Sequence, residues 1–259
     1  MNRPVEDMQP SRIDMGDVIM SPFDLLSEHH RLFVPLVICV AFNIIMEIGI
    51  YVSTQVMFAD ITSTSGSDSI VPGMSSSALV TYGIVILIVF IIFSLICALM
   101  EGWVTAMMME IKADGAIRSG QHFSIISANV WAIIVGTILM SVIVFAGIIC
   151  LVIPGIVVAV ALSCIVPAIV VHNVGAIDGL KASWKFCWQG QNFWRLFALL
   201  TILILIASIP YIGSTMLAFI GSLWFSYAYT EYVHADGGEW SIDNKSEYAK
   251  QITDRAPGV

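Results

Sequence analysis

Asn43 and Glu47 are the residues in the sequence best placed to do chemistry inside a membrane. They are four residues apart in an apolar run, and Tyr51 continues the same helical stripe. A charge inside a bilayer is costly, so an intramembrane acid normally faces the bundle interior or water. We expect Glu47, with Asn43 and Tyr51, to form a site for a proton, a cation or a polar ligand group. The alternative is a neutral, hydrogen-bonded Glu47 that only holds the bundle together.

A second group of candidate residues lies in an amphipathic segment between residues 177 and 195. A helix there puts one apolar face opposite one polar face. The apolar face holds Ile177, Leu180, Trp184, Cys187 and Trp188, and the polar face holds Asp178, Lys181, Lys185 and Gln189. Such a helix lies in the headgroup layer, with lysines near anionic phosphates. The simpler interpretation, which is favoured, is that the helix only anchors the next span; the functional one is an interfacial collar that contacts lipid or a partner protein. The collar residues are Lys181, Trp184, Lys185, Trp188, Trp194 and Arg195.

Signatures of catalysis and of metal binding are missing from the sequence. It has no H-E-x-x-H, G-x-S-x-G, Walker or G-x-G-x-x-G motif, and its five cysteines form no C-x-x-C pair. The five histidines map to one membrane boundary, and Glu101 and Glu110 follow an apolar run and are expected to be solvated. We therefore predict no catalytic residues, no metal site and no cofactor.

The elements that must position these residues follow from composition. Of 259 residues, 58% are hydrophobic and only 12% are charged, a balance typical of multi-span membrane proteins rather than soluble domains. The net charge of −8, without a basic cluster, argues against nucleic acid as a partner.

Apolar runs and their breaks predict an all-α protein with six transmembrane helices. The uncharged stretch 130–171 is twice the length that a bilayer needs, so it must turn at Pro154 and Gly155. A second turn is expected between Ser208 and Gly213. We predict a disordered acidic tail over residues 1–20, a membrane domain over 21–235 and a C-terminal tail over 236–259. The six spans are placed at about 32–54, 78–100, 130–148, 153–171, 194–209 and 212–231.

The distribution of basic residues predicts the orientation. With six spans, all 11 Lys and Arg residues fall on the side that holds both termini. By the positive-inside rule that side is the cytoplasm, so we predict a multi-pass protein of the cell membrane with cytoplasmic termini.

Three segments suggest an internal repeat. Stretches beginning at Phe23, Phe123 and Ser183 each lead into a pair of spans, and Gly-Ala-Ile occurs at Gly115 and again at Gly175. We interpret these as three pseudo-repeats, each an interfacial helix followed by a helical hairpin.

A family resemblance is carried by residues 153–205. Its motifs are Ile153-Pro-Gly155, then Val166-Pro-Ala-Ile-Val-Val-His172, then Gly175-Ala-Ile-Asp-Gly-Leu-Lys-Ala-Ser183, then Asn192-Phe-Trp-Arg195. This pattern resembles the YciC-like membrane proteins and the membrane domain of glycerophosphoryl diester phosphodiesterases. His172-Asn173 stands where those families often have an acidic pair. The resemblance implies a six-span architecture, while the catalytic barrel of the fused members would not fit in this chain.

The favoured function is a non-catalytic membrane protein that binds lipid or organises membrane components through its cytoplasmic interfacial helices. The alternative is a small transporter with a midplane site at Glu47 and Asn43, and an intramembrane hydrolase ranks last. Membrane lipids are the expected partners. A small residue at every fourth position of the last span, from Ser214 to Thr230, would also suit a second copy of the chain or another membrane protein.

Overall fold

The computed structural model describes residues 15–64, 76–115, 117, 121–189, 192–209 and 213–235. Within that part of the chain 94% of residues are helical and none is in a strand, which confirms the all-α prediction. A short 3-10 helix, His30–Leu32, joins the first two α-helices. The α-helices are α1 (Met15–Glu28), α2 (Phe33–Thr64), α3 (Ser76–Asp114), α4 (Gln121–Cys150), α5 (Val152–Leu162), α6 (Ile165–His172), α7 (Ala176–Trp188), α8 (Asn192–Ala207) and α9 (Gly213–Ala235).

Four segments of the described chain are long and apolar enough to cross a membrane. They are His30–Val52, Leu87–Lys112, His122–Cys150 and Val152–His172. Helices α7 and α8 meet at a bend of 100° and add a fifth span if the pair is counted as one. The four segments overlap the first four predicted spans.

Several helix boundaries differ from those expected. α1 begins at Met15, inside the stretch expected to be a tail, because Val18, Pro22 and Leu26 give it an apolar stripe that packs on the bundle. Residues 1–14 and 236–259 lie outside the described residues. α3 continues beyond Met100 to Asp114, and the predicted interfacial segment at Phe123 is part of the continuous helix α4.

Prolines explain the breaks in the fourth span. The predicted turn before Pro154 is present: α4 ends at Cys150, and Pro154 lies in the first turn of α5, where a missing N–H is tolerated. A second break separates α5 from α6. Pro167 has no N–H to donate to the carbonyl of Ser163, so the helical ladder is interrupted there.

The helices pack most closely at one end, which we call the basic end. It is formed by the start of α2, the end of α3, the start of α4, α6, α7, the start of α8 and the end of α9. Arg31, Lys112, Lys181, Lys185 and Arg195 all belong to this end. Its core contains fully buried side chains from five helices, which include Leu36, Met108, Phe186, Leu199 and Tyr229. Ser226 and Thr230 of the small-residue stripe are also buried there, so that part of the stripe packs within the chain.

The opposite end, which we call the far end, exposes large apolar side chains. Ile45 of α2, Phe145 of α4, Ile153 of α5 and Leu205 of α8 are 64–76% exposed. Exposed apolar surface of this extent is what acyl chains cover in a membrane protein. Large apolar side chains such as Phe123 and Trp194 are also exposed at the basic end, so the two ends differ in how tightly the helices pack rather than in exposed apolar surface.

Candidate functional site

Helix α7 presents three faces instead of the two that its sequence suggests. Its buried face is made of small or bundle-facing residues: Ala176, Gly179, Ser183, Phe186 and Cys187. Ile177, Trp184 and Trp188 lie on an adjoining face and are 63%, 42% and 52% exposed. The predicted apolar face was therefore wrong in part: Cys187 is buried and Leu180 packs against the core, but Ile177, Trp184 and Trp188 are exposed. The polar face, with Asp178, Lys181 and Lys185, is exposed as predicted.

Small residues let α7 approach the bundle closely. A Cβ atom on Gly179 would lie 2.3 Å from the Ile169 side chain, so this position has no room for a larger residue. Ser183 donates a hydrogen bond of 2.9 Å to the Ala161 carbonyl. Burial also raises the pKa of the Cys187 thiol to about 11, because the thiolate is poorly solvated.

An aromatic ladder crosses the corner between α7 and α8. The ring centroids of Trp184 and Trp188 are 5.9 Å apart, and Trp188 stacks on Phe193 at 5.1 Å across the bend. Trp194 contacts Phe193 edge-on at 5.3 Å and is 69% exposed. Three of the predicted collar residues thus form one exposed aromatic surface, which we call the aromatic corner (Trp184, Trp188, Phe193 and Trp194).

Cationic side chains border the aromatic corner. Lys181 pairs with Asp178 at 3.1 Å on the exposed polar face, and Lys185 is exposed one turn later. Arg195 is half-buried, and its Nη1 atom has no hydrogen-bond partner among the described residues. Tryptophans beside cations are the side-chain pattern of a helix in the headgroup layer.

The end of α9 holds the α7–α8 corner in place. Tyr232 donates a hydrogen bond to Gln189, and its ring packs on Phe186 with centroids 4.7 Å apart. Phe186 also contacts Tyr229 edge-on at 5.0 Å, and Tyr229 is hydrogen-bonded to His172 at 2.9 Å. These contacts connect the corner to the packed core of the basic end.

The Asn43–Glu47–Tyr51 stripe separates into unlike environments. Asn43 is buried, and its Oδ1 accepts a hydrogen bond of 3.2 Å from Thr215 of α9. Glu47 is half-buried, whereas Tyr51 is 62% exposed. Asn43 thus ties α2 to α9, while Tyr51 points away from the protein.

Glu101 and Glu110 are more buried than expected: Glu110 is enclosed, and Glu101 is half-buried. Glu110 is 8% exposed, and its carboxylate lies 3.6 Å from Nδ1 of His122, whose ring stacks on Trp103. Glu101 Oε1 is buried and has no hydrogen-bond partner in the described part of the chain. The two acids were misjudged because α3 continues past Met100 and carries them into the bundle.

A pair of thiols near Glu101 was not predicted from the sequence. Cys39 of α2 and Cys97 of α3 have their sulfur atoms 3.5 Å apart, although they are 58 residues apart in sequence. Cys97 and Glu101 are four residues apart on α3 and so share a helix face. That spacing was visible in the sequence, but the position of Cys39 opposite it was not.

Among the described residues, no group of three His, Cys, Asp or Glu side chains is arranged to hold a metal ion.

Comparison with known proteins gives one family match. Neither the curated proteins nor the solved structures include a match to the chain. Residues 116–236, which contain α4 to α9 and therefore the whole α7–α8 corner, match the model of DUF7847, a domain of unknown function. The match spans slightly less than half of the chain, and over that region the protein is similar to DUF7847.

Proposed function

We propose that this chain is a non-catalytic, six-span protein of the cell membrane that binds anionic lipid at the α7–α8 corner from the cytoplasmic side. The observation that carries the proposal is the exposed aromatic corner bordered by Lys181, Lys185 and Arg195. Because the corner is held by α9, it presents a fixed surface to headgroups. Such a surface suits a protein that organises neighbouring membrane components.

The difference between the two ends of the bundle supports the proposal of six spans and cytoplasmic termini. α8 and α9 have the same arrangement as the four apolar spans, with one end in the packed core and the other at the exposed far end. Counting them as spans five and six puts every described Lys and Arg at the basic end, which the positive-inside rule assigns to the cytoplasm.

The pseudo-repeat has support in two of its three proposed copies. α1 and α7 are amphipathic helices that each precede a long apolar helix after a short break. The second copy is a single continuous helix.

A relationship to the YciC-like and phosphodiesterase membrane domains is part of the same proposal. The Pro-Gly and Asn-Phe-Trp-Arg motifs that carry the resemblance coincide with the α5 turn and the start of α8.

Native mass spectrometry of the full chain, purified in detergent with added phosphatidylglycerol or phosphatidylcholine, tests the lipid proposal. Wild type should retain phosphatidylglycerol in preference. The Lys181→Gln/Lys185→Gln variant should bind it roughly thirtyfold more weakly, since each lysine near an anionic surface contributes about 1 kcal/mol. Lys245→Gln/Lys250→Gln, with the same charge change in the C-terminal stretch, is the matched control.

Equal retention of phosphatidylglycerol by all three proteins, or no preference for it over phosphatidylcholine, would contradict the proposal.

The alternative, a small transporter with a site at Glu47 and Asn43, predicts a different result. Proton-coupled flux across liposomes that disappears in Glu47→Gln would favour the transporter over the lipid-binding protein.

A further inference from the structure

The thiol pair of Cys39 and Cys97 joins two long helices inside the bundle. Their sulfur atoms are 3.5 Å apart, and a disulfide requires about 2 Å, so the sulfurs must approach by roughly 1.5 Å. Cys39 is 1% exposed, whereas Cys97 is half-buried and reachable from the side of α3. One cysteine is therefore enclosed and the other is partly exposed on the bundle.

Glu101 supplies a buried carboxyl group beside the pair. It lies one helical turn beyond Cys97 on the same face of α3, the helix that carries one of the two thiols. Its Oε1 atom is buried without a hydrogen-bond partner among the described residues. In its ionised form, a carboxyl group one helical turn from a thiol is placed to accept a proton from it, which is the role of a general base.

The other three cysteines have different surroundings. Cys150 is exposed at the far end, and Cys164 is buried beside Ser163 with its sulfur 3.8 Å from the Ser163 hydroxyl. Cys187 faces the bundle from α7. They serve as internal controls for any chemistry at the Cys39–Cys97 pair.

We propose that Cys39, Cys97 and Glu101 form a thiol redox site that a lipid-soluble quinone oxidises to a disulfide between α2 and α3. Two S–H bonds break and one S–S bond forms. Glu101 accepts the first proton, so that a thiolate can react. The two electrons and two protons that the thiols lose convert the quinone to its quinol. The proposal is independent of lipid binding at the α7–α8 corner.

A lipid-soluble oxidant fits the location of the pair. Cys97 lies within the segment Leu87–Lys112, which is apolar enough to cross a membrane, and Ile91 and Ile92 on the same helix are exposed on the bundle surface. A soluble oxidant would have to leave water to reach this depth, whereas a quinone is already dissolved in the hydrocarbon.

The experiment uses the full chain in lipid nanodiscs with a fully substituted benzoquinone, which cannot add permanently to thiols. After the free thiols are blocked and the protein digested, mass spectrometry measures the peptide that links Cys39 to Cys97, and absorbance measures quinol. We expect one quinol per disulfide and full reversal by a dithiol reductant. Cys97→Ser should abolish both signals, and Cys187→Ser should leave them unchanged.

Glu101→Gln separates a redox site from two thiols that merely pack together. It retains both cysteines, so it stays informative even if Cys97→Ser fails to fold. We expect oxidation at pH 7 to slow by about tenfold or more in this variant and to depend more steeply on pH. The proposal is overturned if the Cys39–Cys97 peptide is absent from oxidised wild type, if pairs that include Cys164 or Cys187 form as readily, or if quinol does not appear. An unchanged rate in Glu101→Gln would overturn the role of the carboxylate.

Discussion

The basic end and the far end of this bundle are held together by different interactions. At the basic end, side chains from most of the helices interlock, with the rings of Phe186, Tyr229 and Tyr232 at the centre and Lys112 paired with Glu231. At the far end, close contacts occur where the backbone turns, at Gly155 and at Gly213. Acyl chains can replace protein as the packing partner of apolar side chains, but not of polar ones. The polar end must therefore be built by the chain itself, and it carries most of the specificity of the fold.

The largest expected effect is the loss of a central ring at the basic end. Tyr229 is 1% exposed and contacts Phe186, Tyr232 and His172, so Tyr229→Ala should lower the free energy of unfolding by about 3–5 kcal/mol. Phe145→Ala at the far end, where the ring is 66% exposed, should change it by less than about 0.5 kcal/mol. Unfolding by titration with a denaturing detergent measures both. Similar losses of unfolding free energy in the two variants would show that side-chain packing contributes equally to stability at both ends.

A smaller effect is expected from adding a side chain at a position in the α4–α5 turn where two backbone segments lie close together. A Cβ atom on Gly155 would lie 2.7 Å from the backbone nitrogen of Ile148, which cannot move aside as a side chain could. Gly155→Ala should destabilise the protein by about 1–3 kcal/mol in the same titration. Gly49→Ala is the control, since nothing lies within 4 Å of that position. A tolerated Gly155→Ala would mean that the far end is loose even at its turns.

The hydrogen bond between Asn43 and Thr215 should contribute about 1 kcal/mol, because it is buried between α2 and α9. Thr215→Val keeps the shape of the side chain and removes the donor, so it measures this contribution directly. Tyr51→Phe, on the exposed side of the same stripe, should be neutral. If Thr215→Val left stability unchanged, this hydrogen bond would contribute nothing to the fold, and a structural role for Asn43 through Thr215 would be contradicted.

The smallest effect concerns the exposed ion pair on α7. Lys181 and Asp178 are 71% and 64% exposed, so solvent screens their attraction, and Asp178→Asn should change stability by less than about 0.5 kcal/mol. Glu231→Gln should cost more, since Lys112 is only 12% exposed and also lies 4.6 Å from the centre of the Tyr227 ring. Thermal unfolding of the two variants side by side tests the order. If Asp178→Asn destabilised the protein more than Glu231→Gln, the exposed ion pair on α7 would be the more stabilising of the two pairs.

Much of the fold was predictable because hydropathy and proline placement act locally. The helical class, the first four apolar segments and the turn before Pro154 followed from runs of apolar residues and their interruptions. The break before α6 also has a local cause in Pro167, although no break was predicted there. The continuation of α3 past Met100 did not follow, because charged residues usually mark the end of a span.

The candidate sites were less predictable than the fold. The lysines and tryptophans of the α7–α8 corner were identified from their spacing, but the face of α7 that packs on the bundle was not. Trp184 is a much larger apolar residue, yet Gly179 and Ser183 are the buried ones, because only small residues fit against Ile169 and α5. Hydrophobicity alone cannot distinguish a face that contacts protein from one that contacts lipid.

The sequence by itself determined that the chain is a bundle of apolar helices with its basic residues near one boundary, because hydropathy and charge belong to each residue regardless of its neighbours. Only the tertiary structure decided that Glu110 is enclosed and Glu101 half-buried, that Asn43 contacts Thr215 and that Cys39 faces Cys97. Those facts depend on which helices pack together, and residues 58 to 172 positions apart meet only when the whole bundle has formed.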